Sequence, residues 1–232
     1  MKMINFLMGD GKVVETTLID EAKLKRRCLN SDDSDEQYEE DEHQYYDSDE
    51  EDEYPSYQSD EAKLKRGLDR LWACLMREGN QKIVGFDLQW RNLGDILKSK
   101  LHLVLCTNVT CVIIDSKYLG YEILKNFLAL KDVTFVGIHI GDDLVRLKNL
   151  HGIVFRNVVD ISEHAANIFE RPRYKSCSLS ELADEVSGLE LKEKPASVAY
   201  HNLSKECAAI DAYALFTIGK KLLGRVMGAL KY

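Results

Sequence analysis

Three apolar segments between residues 82 and 115 constrain the fold more than any other feature of the sequence. The segments 82–87, 101–106 and 110–115 are apolar and short, which is typical of buried strands. They follow one another too closely to leave room for crossover helices. We therefore expect the three strands to pair as an antiparallel meander.

Helices and strands alternate in the remainder of the chain. The periodicity predicts strands at 133–138 and 158–160, and helices at 119–130, 142–150, 179–186 and 203–224. Strands that alternate with helices pair in parallel. The sequence therefore predicts an α/β fold with a mixed five-stranded sheet flanked by helices.

The first 66 residues contain a predicted hairpin and a duplication. Two strand-like runs, 4–8 and 12–18, flank a Gly-Asp-Gly turn, and a hairpin is predicted there. The run Asp-Glu-Ala-Lys-Leu-Lys-Arg occurs at 20–26 and again, identically, at 60–66. Two copies are too few for a repeat architecture. We interpret them as a local duplication whose second copy begins an amphipathic helix that ends near Gly79.

An acidic tract lies between the two copies. Residues 31–61 contain sixteen Asp and Glu but no Lys or Arg, so the other residues carry 23 acids against 31 bases. The whole chain is −8, whereas the chain without the tract is +8. The tract has too few aliphatic side chains to offset its ordering entropy, and disorder is expected. It could be a solvating spacer, or a tail that binds basic protein partners or competes with nucleic acid for the domain's basic surface.

The expected organisation is a hairpin with the first copy of the repeat at 1–30, an acidic insert at 31–60 and the main domain at 61–232. The six cysteines form no CxxC pair, so neither a disulfide framework nor a zinc site is expected. The apolar run within the first ten residues is too short for a signal peptide, and no apolar run reaches about eighteen residues, so neither a signal peptide nor a membrane-spanning helix is expected. It predicts a nuclear or cytoplasmic protein that does not associate with membranes.

Three carboxylates stand out by their positions. Asp87 closes an apolar strand, Asp143 follows another strand, and Asp211 lies among alanines of the last helix, where a lone carboxylate is costly to bury. Each has an ordinary explanation as a strand-end or helix-capping residue. Together they could converge on a divalent cation, because Mg²⁺ prefers a few carboxylates and substrate phosphates.

Four segments resemble the sequence motifs of one known protein family. Residues 84–90, Val-Gly-Phe-Asp-Leu-Gln-Trp, resemble a first motif that reads Val-Gly-Phe-Asp-x-Glu-Trp. Residues 135–147 are similar to the second motif and place Asp143 at its metal-binding position. Residues 178–183 resemble the helix before the last motif, and 208–214 resemble that motif, with Asp211 at its acid. Together the four segments resemble the 3′–5′ exonuclease domain of the Werner syndrome protein, and plant Werner-like exonucleases in particular.

The resemblance implies an RNase H-like, DnaQ-like fold of the DEDD superfamily and two-metal hydrolysis of nucleic acid from the 3′ end. It implies that Mg²⁺ or Mn²⁺ is held by Asp87, Asp143 and Asp211. The catalytic positions that it assigns are Asp87, Gln89, Asp143, Cys207 and Asp211.

Two of these positions differ from the family pattern. Gln89 replaces a glutamate, and its amide offers an oxygen without charge, so affinity for the cation should fall. Cys207 replaces a tyrosine that helps to position the attacking water, and it is too short for that role. We therefore expect a degenerate exonuclease, a pseudoenzyme with weak or lost catalysis. An active Mg²⁺- or Mn²⁺-dependent exonuclease, weak activity with Mn²⁺ alone, and a non-catalytic protein-interaction module regulated by the acidic insert remain alternatives.

Basic and aromatic side chains supply candidates for contact with nucleic acid. The loop 171–175 combines positive charge with the aromatic Tyr174, which suits a single strand. The expected ligand is a 3′ end of DNA or RNA, and a homo-oligomer stays open. The predicted contacts are Trp90, Arg91, Arg146, Arg171, Arg173 and Lys175.

Overall fold

The structure is a computed structural model, and the residues that it describes form one mixed β-sheet with helices packed on both faces. The described residues are 2–7, 12–19, 59–79, 81–91, 100–191 and 203–229. Their strands are β1 (Lys2–Leu7), β2 (Val13–Ile19), β3 (Lys82–Arg91), β4 (Lys100–Cys106), β5 (Thr110–Asp115), β6 (Val133–Gly137) and β7 (Val158–Asp160). Their helices are α1 (Asp60–Arg77), α2 (Glu122–Leu128), α3 (Gly141–His151), α4 (Ile161–Ile168), α5 (Leu179–Ser187) and α6 (Leu203–Ala229).

The strand order is β1-β2-β5-β4-β3-β6-β7. β3, β4 and β5 form the predicted antiparallel meander, while β6 pairs in parallel with β3 and β7 in parallel with β6. These five strands confirm the predicted sheet. The predicted hairpin β1–β2 extends it, because β2 pairs in parallel with β5. The carboxyl ends of β2, β5, β3, β6 and β7 consequently lie at one edge of the sheet.

Helix α1 begins where the second copy of the repeat begins, as predicted. The Ser59 side chain accepts a hydrogen bond from the backbone N–H of Ala62 and caps the helix. The Asp60 carboxylate accepts hydrogen bonds from Lys117 Nζ at 3.1 Å and from the Tyr118 hydroxyl at 3.3 Å, which ties the helix to the end of β5. The first copy of the repeat and nearly all of the acidic insert lie outside the described residues.

The two faces of the sheet are covered by different helices. Ile83, Val104 and Ile113 pack in one core cluster with α4, α5 and α6. Their strand neighbours Val84 and Leu103 point the other way and pack in a second cluster with α1 and α2. This alternation follows from the two-residue period of a strand. We call the first side of the sheet the α6 face and the second the α1 face.

Gly85 sets how closely α6 approaches the sheet. A Cβ at this position would lie 2.1 Å from the carbonyl oxygen of Ala212 and 2.4 Å from the backbone N of Phe216. The helix backbone therefore rests directly on β3. A residue with a side chain cannot occupy this position without moving α6 away from the strand.

Helix α4 and the 3-10 turn that follows it were not predicted from the sequence. Helix α4 spans only eight residues and is capped by Asp160, whose carboxylate accepts the backbone N–H of Ser162 at 3.0 Å. A 3-10 turn at Pro172–Ser176 follows it. Elements this short carry little periodicity for prediction. No helix among the described residues is long and apolar enough to cross a membrane.

Candidate active site

The end of β3 presents its side chains to both faces of the sheet. Gly85 faces α6, so Asp87 and Gln89, at the next two alternate positions, share the α6 face. Leu88 and Trp90 point to the opposite side and pack against the α1-face cluster. Asp87 and Gln89 therefore lie on one side of β3, and Trp90 lies on the other.

Asp87 and Gln89 are joined by a hydrogen bond. Gln89 Nε2 donates to Asp87 Oδ2 at 2.7 Å, and both side chains are half-buried. The amide therefore presents its N–H group to the carboxylate. A cation shared by the two side chains would need an oxygen from each, so this arrangement does not match the Asp-x-Glu pair of the resemblance.

Asp143 lies in the first turn of α3 and is held by Trp90. The indole Nε1 donates to Asp143 Oδ1 at 2.9 Å. Arg146, one helical turn further on, covers the same indole, with its guanidinium carbon 3.8 Å from the ring centroid. Burial raises the pKa of the Asp143 carboxyl, and the hydrogen bond from Trp90 and the charge of Arg146 partly oppose this shift.

The last two catalytic candidates lie on α6. Asp211 is buried, with 8% of its surface exposed, and directly precedes Ala212, whose carbonyl lies over Gly85. Cys207 is half-buried and lies one turn earlier in the same helix. Both residues make interactions within the protein.

The divalent cations that the resemblance implies would need several of these side chains as joint ligands. The described residues contain no group of three or more His, Cys, Asp or Glu side chains that could hold a metal ion. Two of the three carboxylates instead accept neutral N–H donors from β3. As arranged, the residues do not fit a joint metal site, and the metal-binding role of Asp87, Asp143 and Asp211 stays a prediction.

A polar row next to Gln89 was not predicted from the sequence. His102 on β4 pairs directly with Gln89 on β3 and with Asp115 on β5. Both His102 and Asp115 are buried, and His102 Nε2 lies 3.7 Å from Asp115 Oδ2. The only signal in the sequence is a histidine within an apolar strand. Its relation to Gln89 depends on the strand register, which the sequence does not reveal.

The basic candidates are used in different ways. Arg173 Nη2 donates to both carboxylate oxygens of Glu185 at 2.7 Å. Tyr174 is only 4% exposed and its hydroxyl donates to the same carboxylate, so the aromatic side chain of this loop is packed within the protein. Arg171 and Lys175 are exposed. Trp90 and Arg146 contact each other, and Arg91 ends β3 with a side chain outside the described part.

Most of this chain matches a known protein family. Residues 67–226, more than half of the chain, match a family described as 3′-5′ exonuclease. This chain belongs to the 3′–5′ exonuclease family. Exonucleases of its DnaQ-like superfamily generally use divalent metal ions, and membership supports nucleic acid as the ligand.

One relative of this chain is similar to it over most of the exonuclease domain. The Arabidopsis thaliana protein RISC-interacting clearing 3′-5′ exoribonuclease 1 is 31% identical over 165 residues, which cover 66% of this chain and 80% of the relative. It is not a Werner-type protein by name. The Werner-like assignment within the family therefore stays a prediction.

Solved structures confirm the predicted RNase H-like fold. Escherichia coli RNase D aligns with a TM-score of 0.55 at 18% identity, covering 71% of this chain and 44% of RNase D. Brucella melitensis NrnC aligns with a TM-score of 0.51 at 17% identity, covering 66% of this chain and 78% of NrnC. These likenesses concern the fold.

Proposed function

We propose that this protein binds the 3′ ends of single-stranded nucleic acid through its exonuclease fold and hydrolyses them weakly or not at all. The observation that carries the proposal is the hydrogen bond from Gln89 Nε2 to Asp87 Oδ2, at 2.7 Å. The first motif of the Werner-like family has a glutamate where this chain has the neutral Gln89. The Gln89 amide directs an N–H donor toward the Asp87 carboxylate.

Gln89 and Cys207 both replace residues that act in the hydrolysis step. In two-metal hydrolysis, the cations stabilise the attacking and leaving oxygens and lower the pKa of a bound water. A neutral Gln89 weakens affinity for Mg²⁺ or Mn²⁺, and the short Cys207 side chain cannot position water as a tyrosine would. Positioned acid–base groups contribute about 10²–10⁴-fold in rate. Loss of both roles is enough to reduce hydrolysis to a small residual rate.

RNA is the favoured ligand. The relative with 31% identity is named an exoribonuclease, and its alignment covers 66% of this chain. DNA remains a competing ligand because the motifs resemble those of Werner-like exonucleases. A nuclear or cytoplasmic location and protein partners of the acidic insert are further predictions from the sequence.

Binding is tested by fluorescence anisotropy with labelled single-stranded RNA and DNA of equal sequence, in EDTA so that hydrolysis cannot occur. The exposed Arg171 and Lys175 are expected to contact phosphates. Each alanine variant should weaken binding and reduce the slope of log K against log salt by about one. Arg173→Ala is the matched control, and a smaller loss is expected because Glu185 already engages this arginine. Absence of binding to either strand at low salt would refute the proposal and favour the protein-interaction alternative.

An active exonuclease is the second candidate, because the chain belongs to the family and retains Asp87, Asp143 and Asp211. Its signature is rapid degradation from the 3′ end in Mn²⁺ that Asp87→Ala abolishes. Degradation that persists in Asp87→Ala would instead identify a contaminating nuclease.

A further inference from the structure

We infer that β1 is an interface strand, which pairs in antiparallel fashion with β1 of a second copy of this chain and so joins two sheets. β1 is the outermost strand of the sheet and pairs with β2 on one side. No described residue pairs with its other side. At the opposite edge, β7 has three residues and leads directly into α4, whereas β1 has six. β1 is therefore the longer of the two open edges.

The hydrogen bonds of β2 show which backbone groups of β1 face outward. The N–H of Glu15 donates to the carbonyl oxygen of Val109, just before β5, at 3.0 Å. The N–H and C=O of one strand residue point to the same side, so Glu15 directs both groups toward β5 and away from β1. Asn5 lies opposite Glu15. This is therefore a non-hydrogen-bonded pair, and the N–H and C=O of Asn5 point away from β2.

The outward direction recurs at every second residue of β1. Met3 and Leu7 share it with Asn5, so these three residues present their N–H and C=O groups at the outer edge of the sheet. Unpaired backbone groups at a sheet edge are a template for another strand, and proteins usually protect such an edge with proline, charges or a bulge. β1 has no proline, keeps one register with β2 throughout, and has a single charged residue, Lys2.

The outward groups of β1 are complementary to those of an identical strand. In an antiparallel pair centred on Asn5, this residue lies opposite its equivalent, and Met3 lies opposite Leu7 of the second copy. All outward residues then form hydrogen-bonded pairs, three pairs that exchange two bonds each, or about six backbone hydrogen bonds. The two Lys2 residues stand at opposite ends of the pairing, about 20 Å apart at 3.4 Å per residue, so no like charges meet.

A second copy suits this edge better than the acidic insert of the same chain does. Residues 20–58, which connect β2 with the cap of α1, contain no Val, Ile, Thr, Phe or Trp, and these are residue types enriched in strands. β1 itself reads Lys-Met-Ile-Asn-Phe-Leu. The edge also leaves an apolar side chain in solvent, because Met3 is 49% exposed. We therefore commit to a second copy as the occupant.

The oligomeric state of the full chain, measured without nucleic acid, tests the interface. One copy has a mass of 26.5 kDa. Size-exclusion chromatography with light scattering should give twice this mass at high protein concentration. The mass should fall on dilution over about 1–100 μM, because a contact between two strand edges is small. A wild type that has a mass of 26.5 kDa throughout this range would overturn the inference.

Asn5→Pro removes an outward N–H and no hydrogen bond to β2. Proline is tolerated on an edge strand where its missing N–H would face outward. The variant should associate at least ten-fold more weakly than the wild type, with little change in the Tm of the dilute protein. Asn5→Ala is the matched control, because it changes the same side chain but keeps the N–H, and it should associate like the wild type. Equal association of all three proteins would overturn the inference.

Cysteine cross-linking tests the register and does not depend on how well proline is tolerated. The Cα atoms of a hydrogen-bonded pair lie about 5.5 Å apart, which a disulfide can span. Asn5→Cys should therefore form a covalent dimer with oxidised glutathione, which is reduced to two glutathione thiols as two cysteine thiols become one disulfide. Met3→Cys is the control, since Met3 lies roughly 14 Å from its equivalent, beyond the reach of a disulfide. Equal cross-linking of the two variants, or none above the wild-type level in Asn5→Cys, would also overturn the inference.

Discussion

Gly85→Ala provides a direct test of how α6 is seated on β3. The new Cβ would lie 2.1 Å from Ala212 O and 2.4 Å from Phe216 N, whereas real Cβ contacts below 3.0 Å essentially do not occur. The obstacle is helix backbone, which has no alternative rotamer, so α6 must move by about 1 Å. Overpacking of a core costs about 1–3 kcal/mol, and we expect the upper end of this range.

At about 2–4 °C per kcal/mol, the Tm should fall by roughly 6–12 °C in thermal unfolding followed by circular dichroism. Gly120→Ala is the control, because a Cβ there meets nothing within 4 Å. Gly219→Ala should lie between them, since the atoms nearest to its Cβ belong to the Val136 side chain, at 2.8 Å, and not to backbone. A loss at Gly85 no larger than that at Gly120 would refute the close packing of α6 on β3.

Two further predictions concern Asp143 and the start of α1. Burial raises the pKa of the Asp143 carboxyl, so its ionised form costs stability as the pH rises above the unfolded-state pKa. Asp143→Asn keeps an oxygen for Trp90. Its Tm advantage over the wild type should be near zero below the unfolded-state pKa, at pH about 3, and larger at pH 7; an advantage that shrinks with rising pH would contradict this cause. Ser59→Ala removes the cap of α1 and should cost about 1 kcal/mol, or roughly 2–4 °C in Tm, whereas Ser59→Asp should retain the wild-type Tm.

Much of the fold could be predicted because its elements follow simple periodicities. The strands β3 to β7 and the long helices lie close to the predicted ranges, since their apolar residues repeat with the period of a buried strand or an amphipathic helix. The position of the hairpin could not be predicted. β2 pairs with β5, whose residues lie nearly one hundred positions later, and local patterns do not encode such pairings.

The candidate site could likewise be predicted from the sequence only in part. That Asp87 and Gln89 share a face follows from their spacing in one strand. The hydrogen bond from Trp90 to Asp143 joins residues 53 positions apart, and the row of Gln89, His102 and Asp115 requires the register of three strands. The sequence also did not indicate that Tyr174 is buried, because the basic residues on either side of it are typical of an exposed loop.

Gln89 and Cys207 are expected to limit hydrolysis. The most direct measurement is the single-turnover rate of 3′-end degradation of RNA in Mn²⁺ by the wild type and by the Gln89→Glu/Cys207→Tyr double variant. The double variant should be at least about 10²-fold faster, in line with the rates that positioned acid–base groups contribute. Robust hydrolysis by the wild type that Asp87→Ala abolishes, with no gain in the double variant, would show that Gln89 and Cys207 do not limit hydrolysis.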